Sequence, residues 1–477
     1  MNKNFIAGEW LEGADINLNI NPSDTNDVVG EYARADASQA AMAVDAAFEA
    51  APNWARSTAE VRSDALDHIG TEILARREEL GRLLAREEGK TLPEGIGEVV
   101  RAGRVFKFFA GEALRLSGER LASIRPGVEA DVRREPEGVV GIITPWNFPI
   151  AIPAWKIAPA LAFGNAVVFK PADLVPGSAW ALAEIIVRAG ALPSGVFNLV
   201  MGPGSKVGDV FAKSKKVRAL TFTGSTGTGR SIGMTCMERG AKVQLEMGGK
   251  NPLIILDDAD LNQAVEVAVS GSFFSTGQRC TASSRLIVQD GIHDQFVEAV
   301  IKRLSSLKVD HALSEGCDMG PVVSQAQLKQ DCDYIKSAQE EGGKLAYGGE
   351  LLTRGTPGFY ISPALITETT NQMRINREEV FGPVASVIRV KDYEEAVTLA
   401  NDTEFGLSSG ICTTSLKHSS DFKQRSTAGM VMVNVPTAGV DYNAPFGGRK
   451  NSSYGPREQG GYAKEFYTSV KTTYTLA

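Results

Sequence analysis

Val61, Leu66, Ile69, Ile73, Leu80, Leu83 and Leu84 recur at helical spacing among charged neighbours, and Gly89 stands where a C-terminal cap belongs. The pattern predicts one amphipathic helix over 60–88, a surface element without chemistry of its own. From 138 the period changes. VVGII (139–143), AVVFK (166–170), VFNLV (196–200), RALTFTG (218–224) and KVQLEM (242–247) read as strands. Between them, AWKIAPALAFG (154–164), SAWALAEIIVRAG (178–190) and GTGRSIGMTCMERG (227–240) read as helices. This alternation predicts an α/β fold with a parallel sheet and right-handed crossovers. Ligands in such sheets sit beyond the C-terminal strand ends.

A second α/β stretch begins near 250. Helices are predicted over 259–274, 293–307 and 394–402, with strands over 285–288, 384–390 and 430–434. ADVRREP (130–136) and FYTSVKTTY (466–474) alternate like exposed strands and predict a protruding flap. An open strand edge requires a partner, so a homodimer or homotetramer is expected.

The chain has 477 residues, which exceeds the roughly 250–300 that one core sustains, so two or more domains are expected. Apolar residues make up 43% and charged residues 22%, as in an ordinary globular enzyme. A net charge of −7 without basic clusters argues against nucleic acid and anionic membranes. No apolar run is long enough for a spanning helix, and the N-terminal residues do not resemble a secretory leader. Five scattered cysteines and four histidines predict a reducing, cytoplasmic setting and no metal site.

Candidate chemistry centres on GQRC (277–280). Most single cysteines are small buried hydrophobes. Cys280, however, follows a glycine turn and sits beside Arg279, whose charge favours a thiolate. The histidines lie in charged surroundings, so a carboxylate is the better proton acceptor. Glu246 stands at the end of a predicted strand, just ahead of Gly248 and Gly249, a turn that lets a ligand approach closely. It reads either as a base or as a loop glutamate in an ion pair. The loop TFTGSTGTG (221–229) suits a phosphate at a helix N-terminus. TPWNFP (144–149) presents Asn147, a candidate oxyanion donor. FKPAD (169–173) ends a strand with Lys170 and Asp173, a pair suited to ribose hydroxyls.

TPWNFP, FKPA, TFTGST, LEMGGKNP, GQRC, EEVFGPV and PFGGRKNS, in this order, resemble the aldehyde dehydrogenase superfamily over essentially the whole chain. The resemblance implies a Rossmann-type cofactor domain (1–118 and 138–247), an α/β catalytic domain (248–437), a return segment (438–458) and a β-flap for oligomerisation (119–137 and 459–477). It implies Cys280 as nucleophile, Glu246 as general base and Asn147 as oxyanion donor. NAD, with NADP as the alternative, would be held by Thr144, Trp146, Lys170, Asp173, Gly224, Ser225, Glu379 and Phe381. Lys156 resembles a lysine close to the base. Phe148, Trp155 and Phe274 would line a substrate tunnel. Arg279 would either bind a substrate carboxylate or only depress the thiol pKa.

The wording of these motifs resembles α-ketoglutaric semialdehyde (2,5-dioxopentanoate) dehydrogenases, with succinate semialdehyde dehydrogenases close behind. That implies oxidation of a small carboxylate-bearing aldehyde through a cysteine thioester. An acyl-transferring dehydrogenase is disfavoured by Glu246, and a crystallin-like structural protein by the retained site residues. Two positions depart from the common pattern. Asp173 stands in place of glutamate, where a carboxylate should repel a 2′-phosphate and favour NAD. Ser453 stands in place of glycine.

Overall fold

Buried, β-branched runs set the two main sheets of the computed structural model, which describes residues 1–476. Ala477, the last residue of the expected flap, lies outside the described residues. The larger sheet has eight strands. Its centre is parallel and runs Lys242–Glu246, Val217–Thr223, Val139–Ile143, Ala166–Lys170, Phe197–Leu199. Ser453–Tyr454 adds antiparallel to one side, and Asn4–Ile6 with Glu9–Leu11 to the other. From the central strand Val139–Ile143 the chain adds two strands on one side, then crosses to the other. The switch point therefore lies between Val139–Ile143 and Val217–Thr223, where a crevice opens beyond the strand ends.

The second sheet has seven strands in the order Lys344–Tyr347, Ala364–Thr367, Val384–Val390, Ser283–Gln289, Asn251–Ile255, Ser408–Cys412, Met430–Val433. All but the first pairing are parallel. The strand Asn251–Ile255, absent from the sequence expectations, lies centrally. Pro252 is accommodated by a register shift between Asn251 and Pro252.

The helix expected over 60–88 is two helices, Ala59–Ala75 and Arg77–Glu88. The break falls at Arg76, whose guanidinium pairs with Glu79 and Glu184 at 2.7 Å each. A one-residue break leaves the apolar spacing intact, because Leu66, Ile69, Ile73, Leu80 and Leu84 all enter one core. Gly89 caps the second helix with φ +97°. Helices outside the sequence expectations include Gln325–Glu340, Leu416–Arg425, Ala37–Ala55 and Leu92–Leu114. The last matters most for the site.

Glu119–Leu121, Val128–Pro136 and Thr468–Leu476 form a separate antiparallel sheet. The flap strand begins only at Thr468. Residues 460–467 form helical turns, and Phe466 and Tyr467 enter the core packed on the larger sheet. Among the described residues, no helix is long and apolar enough to cross a membrane.

Candidate active site

Three loops leave the C-terminal strand ends at the switch point. They follow Ile143, Thr223 and Glu246. With Glu379 and Phe381 from the second sheet's side, they enclose a cavity of about 320 Å³. Trp146, Asn147, Gly224, Ser225 and Cys280 face it. Ser225 is the N-cap of the helix Thr226–Glu238, so that helix presents its first-turn N–H groups and positive dipole end here. Trp146 meets Phe381 edge-on, with ring centroids 5.3 Å apart. Phe381 holds a left-handed backbone, φ +63°. The Glu379 carboxylate accepts from Gly249 N–H at 2.8 Å, and burial pushes its pKa up to about 7. A Cβ on Gly248 would lie 2.4 Å from that carboxylate, so this approach requires glycine.

Thr144, Lys170 and Asp173 lie outside this lining. Thr144 is buried, and its N–H donates to Lys170 O at 3.2 Å. Lys170 is buried and its pKa is pushed down to about 8, with its Nζ on Pro171 O at 2.7 Å. Asp173 already has a cationic partner, because Arg34 Nη2 donates to its Oδ2 at 2.7 Å.

A second cavity, about 220 Å³, opens on the other side of the cysteine. Phe148, Trp155 and Phe446 form its aromatic walls, and Glu94, Arg101 and Arg279 supply its charge. Cys280 lines both cavities. Phe274, expected in the tunnel, packs instead against the core of the second sheet. The reason is local. Ser275 and Thr276 take positive φ values of 51° and 55°, and Gly277 follows at 65°. This turn carries Ser275 to the cavity, where its N–H meets Glu94 at 2.7 Å.

Burial and the nearby Glu379, Glu246 and Glu458 push the Cys280 thiol well above its usual range. Arg279, expected to favour the thiolate, reaches toward Glu94 at 3.5 Å along the cavity wall. Its Nε is buried without a partner. Asn147 spends one amide hydrogen on Gln278 O at 2.9 Å, and its own backbone carbonyl accepts from buried Lys90 at 2.7 Å.

Glu246 is 3% exposed. Burial first, then Glu458, raise its carboxyl well above the usual range. Its hydrogen-bond partner is Ser453 Oγ at 2.5 Å. Glu458 itself is held by Trp155 Nε1 at 2.6 Å and by Lys156, which also donates to Thr221 at 2.7 Å. Sequence reasoning missed Glu94, Arg101, Phe446 and Glu458. Phe446 lies in the motif PFGGRKNS without an assigned role, whereas Glu94, Arg101 and Glu458 lie in none of these motifs and reach the site only once distant segments fold together. The S/T-x-x-E pattern from Thr91 to Glu94 marks a helix start, but not a cavity wall.

Residues 10–473 match the model of the aldehyde dehydrogenase family. The chain belongs to the aldehyde dehydrogenase family. It is 44% identical to the alpha-ketoglutaric semialdehyde dehydrogenase of Bacillus subtilis, over 99% of this chain and 97% of that one. It is 40% identical to the 2,5-dioxopentanoate dehydrogenase of Saccharolobus solfataricus, over 98% of each chain. Among solved structures, betaine aldehyde dehydrogenase from Staphylococcus aureus in complex with NAD⁺ superposes with a TM-score of 0.97 at 36% identity. That match covers 100% of this chain and 95% of the other. The expected α/β aldehyde dehydrogenase fold is therefore borne out, and the chain is an enzyme of this family.

Proposed function

We propose that this enzyme oxidises a short aldehyde bearing a distal carboxylate, 2,5-dioxopentanoate to 2-oxoglutarate, with NAD⁺ as the acceptor. The observation that carries the reaction is the position of Cys280 at the meeting of the two cavities. A reacting carbon bonded to its sulfur faces a nucleotide-type crevice on one side and an aromatic-walled cavity on the other. Glu379, the Trp146–Phe381 pair and the helix opened by Ser225 suit a dinucleotide. NAD⁺, when bound, supplies the acceptor for the hydride that the substrate carbon gives up. NADP⁺ is the alternative.

The chain's own residues do the rest. Cys280 attacks as a thiolate, so its thiol, which burial holds above the usual range, first gives up its proton to solvent. Cys280 Sγ bonds the aldehyde carbon. The resulting alkoxide is met by the second amide hydrogen of Asn147 and by the Cys280 N–H. Loss of hydride leaves a thioester on Cys280. Glu246 takes a proton from water, whose oxygen attacks the thioester carbon. Collapse expels the Cys280 thiolate and gives the carboxylate. The aldehyde loses two electrons, water supplies the oxygen, and protons return to solvent through Glu246.

Two guanidiniums in the tunnel support an anionic substrate. Arg101 and Arg279 both have a buried Nε without a partner. Against them stands Glu94 alone among the acidic groups of the lining. Fork-shaped donors of this kind suit a carboxylate. The aromatic walls by themselves would also suit a quaternary ammonium, a cation of the kind carried by betaine aldehyde. The excess of positive charge opposes that. The names of the B. subtilis and S. solfataricus relatives favour the same substrate. A panel of 2,5-dioxopentanoate, succinate semialdehyde, butanal and betaine aldehyde, with and without coenzyme A, tests the reading. The highest kcat/KM should fall on an acidic aldehyde, without a requirement for coenzyme A. A preference for butanal or betaine aldehyde rejects it.

The open edge of Thr468–Leu476 exposes Val470, Tyr474 and Leu476. We assign this flap to assembly with a second copy, in line with the division into cofactor, catalytic and flap parts. All five cysteines are unpaired, which suits a reducing cytoplasm.

A further inference from the structure

Ser453 stands where the aldehyde dehydrogenase motif has glycine, and the fold gives it a specific neighbour. The short strand Ser453–Tyr454 pairs antiparallel with Lys242–Glu246, and the register sets Ser453 directly opposite Glu246. Its hydroxyl has two partners. Gly448 N–H donates to Oγ at 2.6 Å, and Oγ lies 2.5 Å from Glu246 Oε2. With one lone pair taken by Gly448, the hydroxyl proton is directed at the carboxylate. Gly448 is fixed in turn, because its carbonyl accepts from Arg457. Glu246 Oε1 makes no protein hydrogen bond among the described residues. A Cβ on Gly447 would lie 2.8 Å from it, so only glycine leaves that oxygen clear.

We propose that Ser453 is a positioning residue that anchors Glu246 by Oε2, leaves Oε1 for water, and sets the pH above which thioester hydrolysis becomes fast. The inference rests on Glu246 acting as the base. The carboxylate has little else to keep it ionised. Glu458 on the segment after Arg457 repels its charge. Lys156 on the helix Ala151–Ala162 and Arg457 attract it, but Lys156 is already bonded to Glu458. Cys280 is near enough to feel the charge of Glu246, which together with burial raises its thiol pKa. The Ser453 hydroxyl is the one direct donor to the ionised form among the described residues, and a donor to a charged form lowers its pKa. Removing it raises the pKa of the base, so the rise of turnover with pH moves upward.

The test separates acylation from hydrolysis by rapid mixing with NAD⁺ and the best acidic aldehyde, between about pH 6 and 10. Ser453→Ala should keep the amplitude and rate of the first burst of reduced cofactor. Its steady-state turnover should fall severalfold near neutrality, and the midpoint of its pH profile should rise by about one unit. Ser453→Thr, which restores a hydroxyl, should return the midpoint to that of the wild type. An unmoved midpoint in Ser453→Ala overturns the proposal. So does a parallel loss of burst and turnover at every pH, the mark of a merely structural role. Glu246→Gln, run alongside, tests the underlying reading. Wild-type turnover in that variant means that Glu246 is not the base, whatever Ser453 does.

Discussion

The two cavities that meet at Cys280 are built in different ways. The cofactor side comes largely from short loops, Trp146 with Asn147, Gly224 with Ser225, Glu379 with Phe381, joined by Gln327 and Gln330 of the helix Gln325–Glu340. Backbone does much of the work there, through a helix N-terminus, a left-handed Phe381 and a glycine that a carboxylate closes upon. The tunnel side is assembled from side chains far apart in the chain. Arg101 reaches Gln459 at 2.9 Å across 358 positions, and Arg279 reaches Glu94 across 185. Strand-end motifs preserve a reaction, whereas a wall of scattered side chains can change its substrate without disturbing that reaction.

Cys280→Ala should break the point that both sides share. Turnover should fall by at least about a thousandfold, because no second nucleophile lines both cavities. NAD⁺ binding, followed by fluorescence or calorimetry, should persist, since the sulfur contributes little to the crevice. Substantial residual turnover would reject the covalent route. Glu246→Gln should come next in size, with a burst of one reduced cofactor per site and then a steady rate lower by about 100- to 10,000-fold. Loss of the burst itself would assign Glu246 to activating Cys280 instead.

Arg101→Met and Arg279→Met address the tunnel alone. Each should raise KM for acidic aldehydes by about 10- to 100-fold, the scale of one charge-assisted hydrogen bond. Butanal should be nearly indifferent to both. An equal loss for neutral and acidic aldehydes would mean that the arginines hold the wall together and do not select a carboxylate. Arg101 packs 5.6 Å from the Trp155 ring, so methionine is chosen to keep its apolar stem.

The same contrast explains what is legible in the sequence. Alternation of strand and helix from 138 to 247 exposes the central sheet, because its strands are buried on both faces and almost wholly apolar. Asn147, Glu246 and Cys280 stand out because each ends or follows an element in a turn rich in glycine or proline. Asn251–Ile255 is hidden by its proline, and the break at Arg76 by an apolar spacing that runs across it. Arg101 lies on the helix Leu92–Leu114, which the sequence pattern does not announce, and nothing local distinguishes it from Arg104. Phe274 resembles tunnel lining because it adjoins the cysteine turn. The run of positive φ values from Ser275 to Gly277 reverses the direction in which the chain presents its side chains.

The smallest expected effect concerns Asp173, which lies outside the cavity lining and belongs to the cofactor site only as an expectation. A carboxylate at Asp173 would repel a 2′-phosphate, but its charge is offset by Arg34 at 2.7 Å. Both side chains are about a third exposed, at 29% and 33%, so solvent and salt weaken the pair. NAD⁺ should therefore be preferred over NADP⁺ by only a modest factor. Asp173→Ser should free Arg34 and raise kcat/KM for NADP⁺ by roughly tenfold at low salt, with little change for NAD⁺. Arg34→Met should do the reverse. Lys170 adds a pH signature. Burial pushes its pKa down to about 8, so it is mostly charged near neutrality and loses its proton as pH rises through that value. Use of NADP⁺ should accordingly decline relative to NAD⁺ above about pH 8, and more sharply in Asp173→Ser, where Arg34 and Lys170 act unopposed. A strong NADP⁺ preference in the unaltered enzyme would show that Arg34, not Asp173, faces the 2′ position.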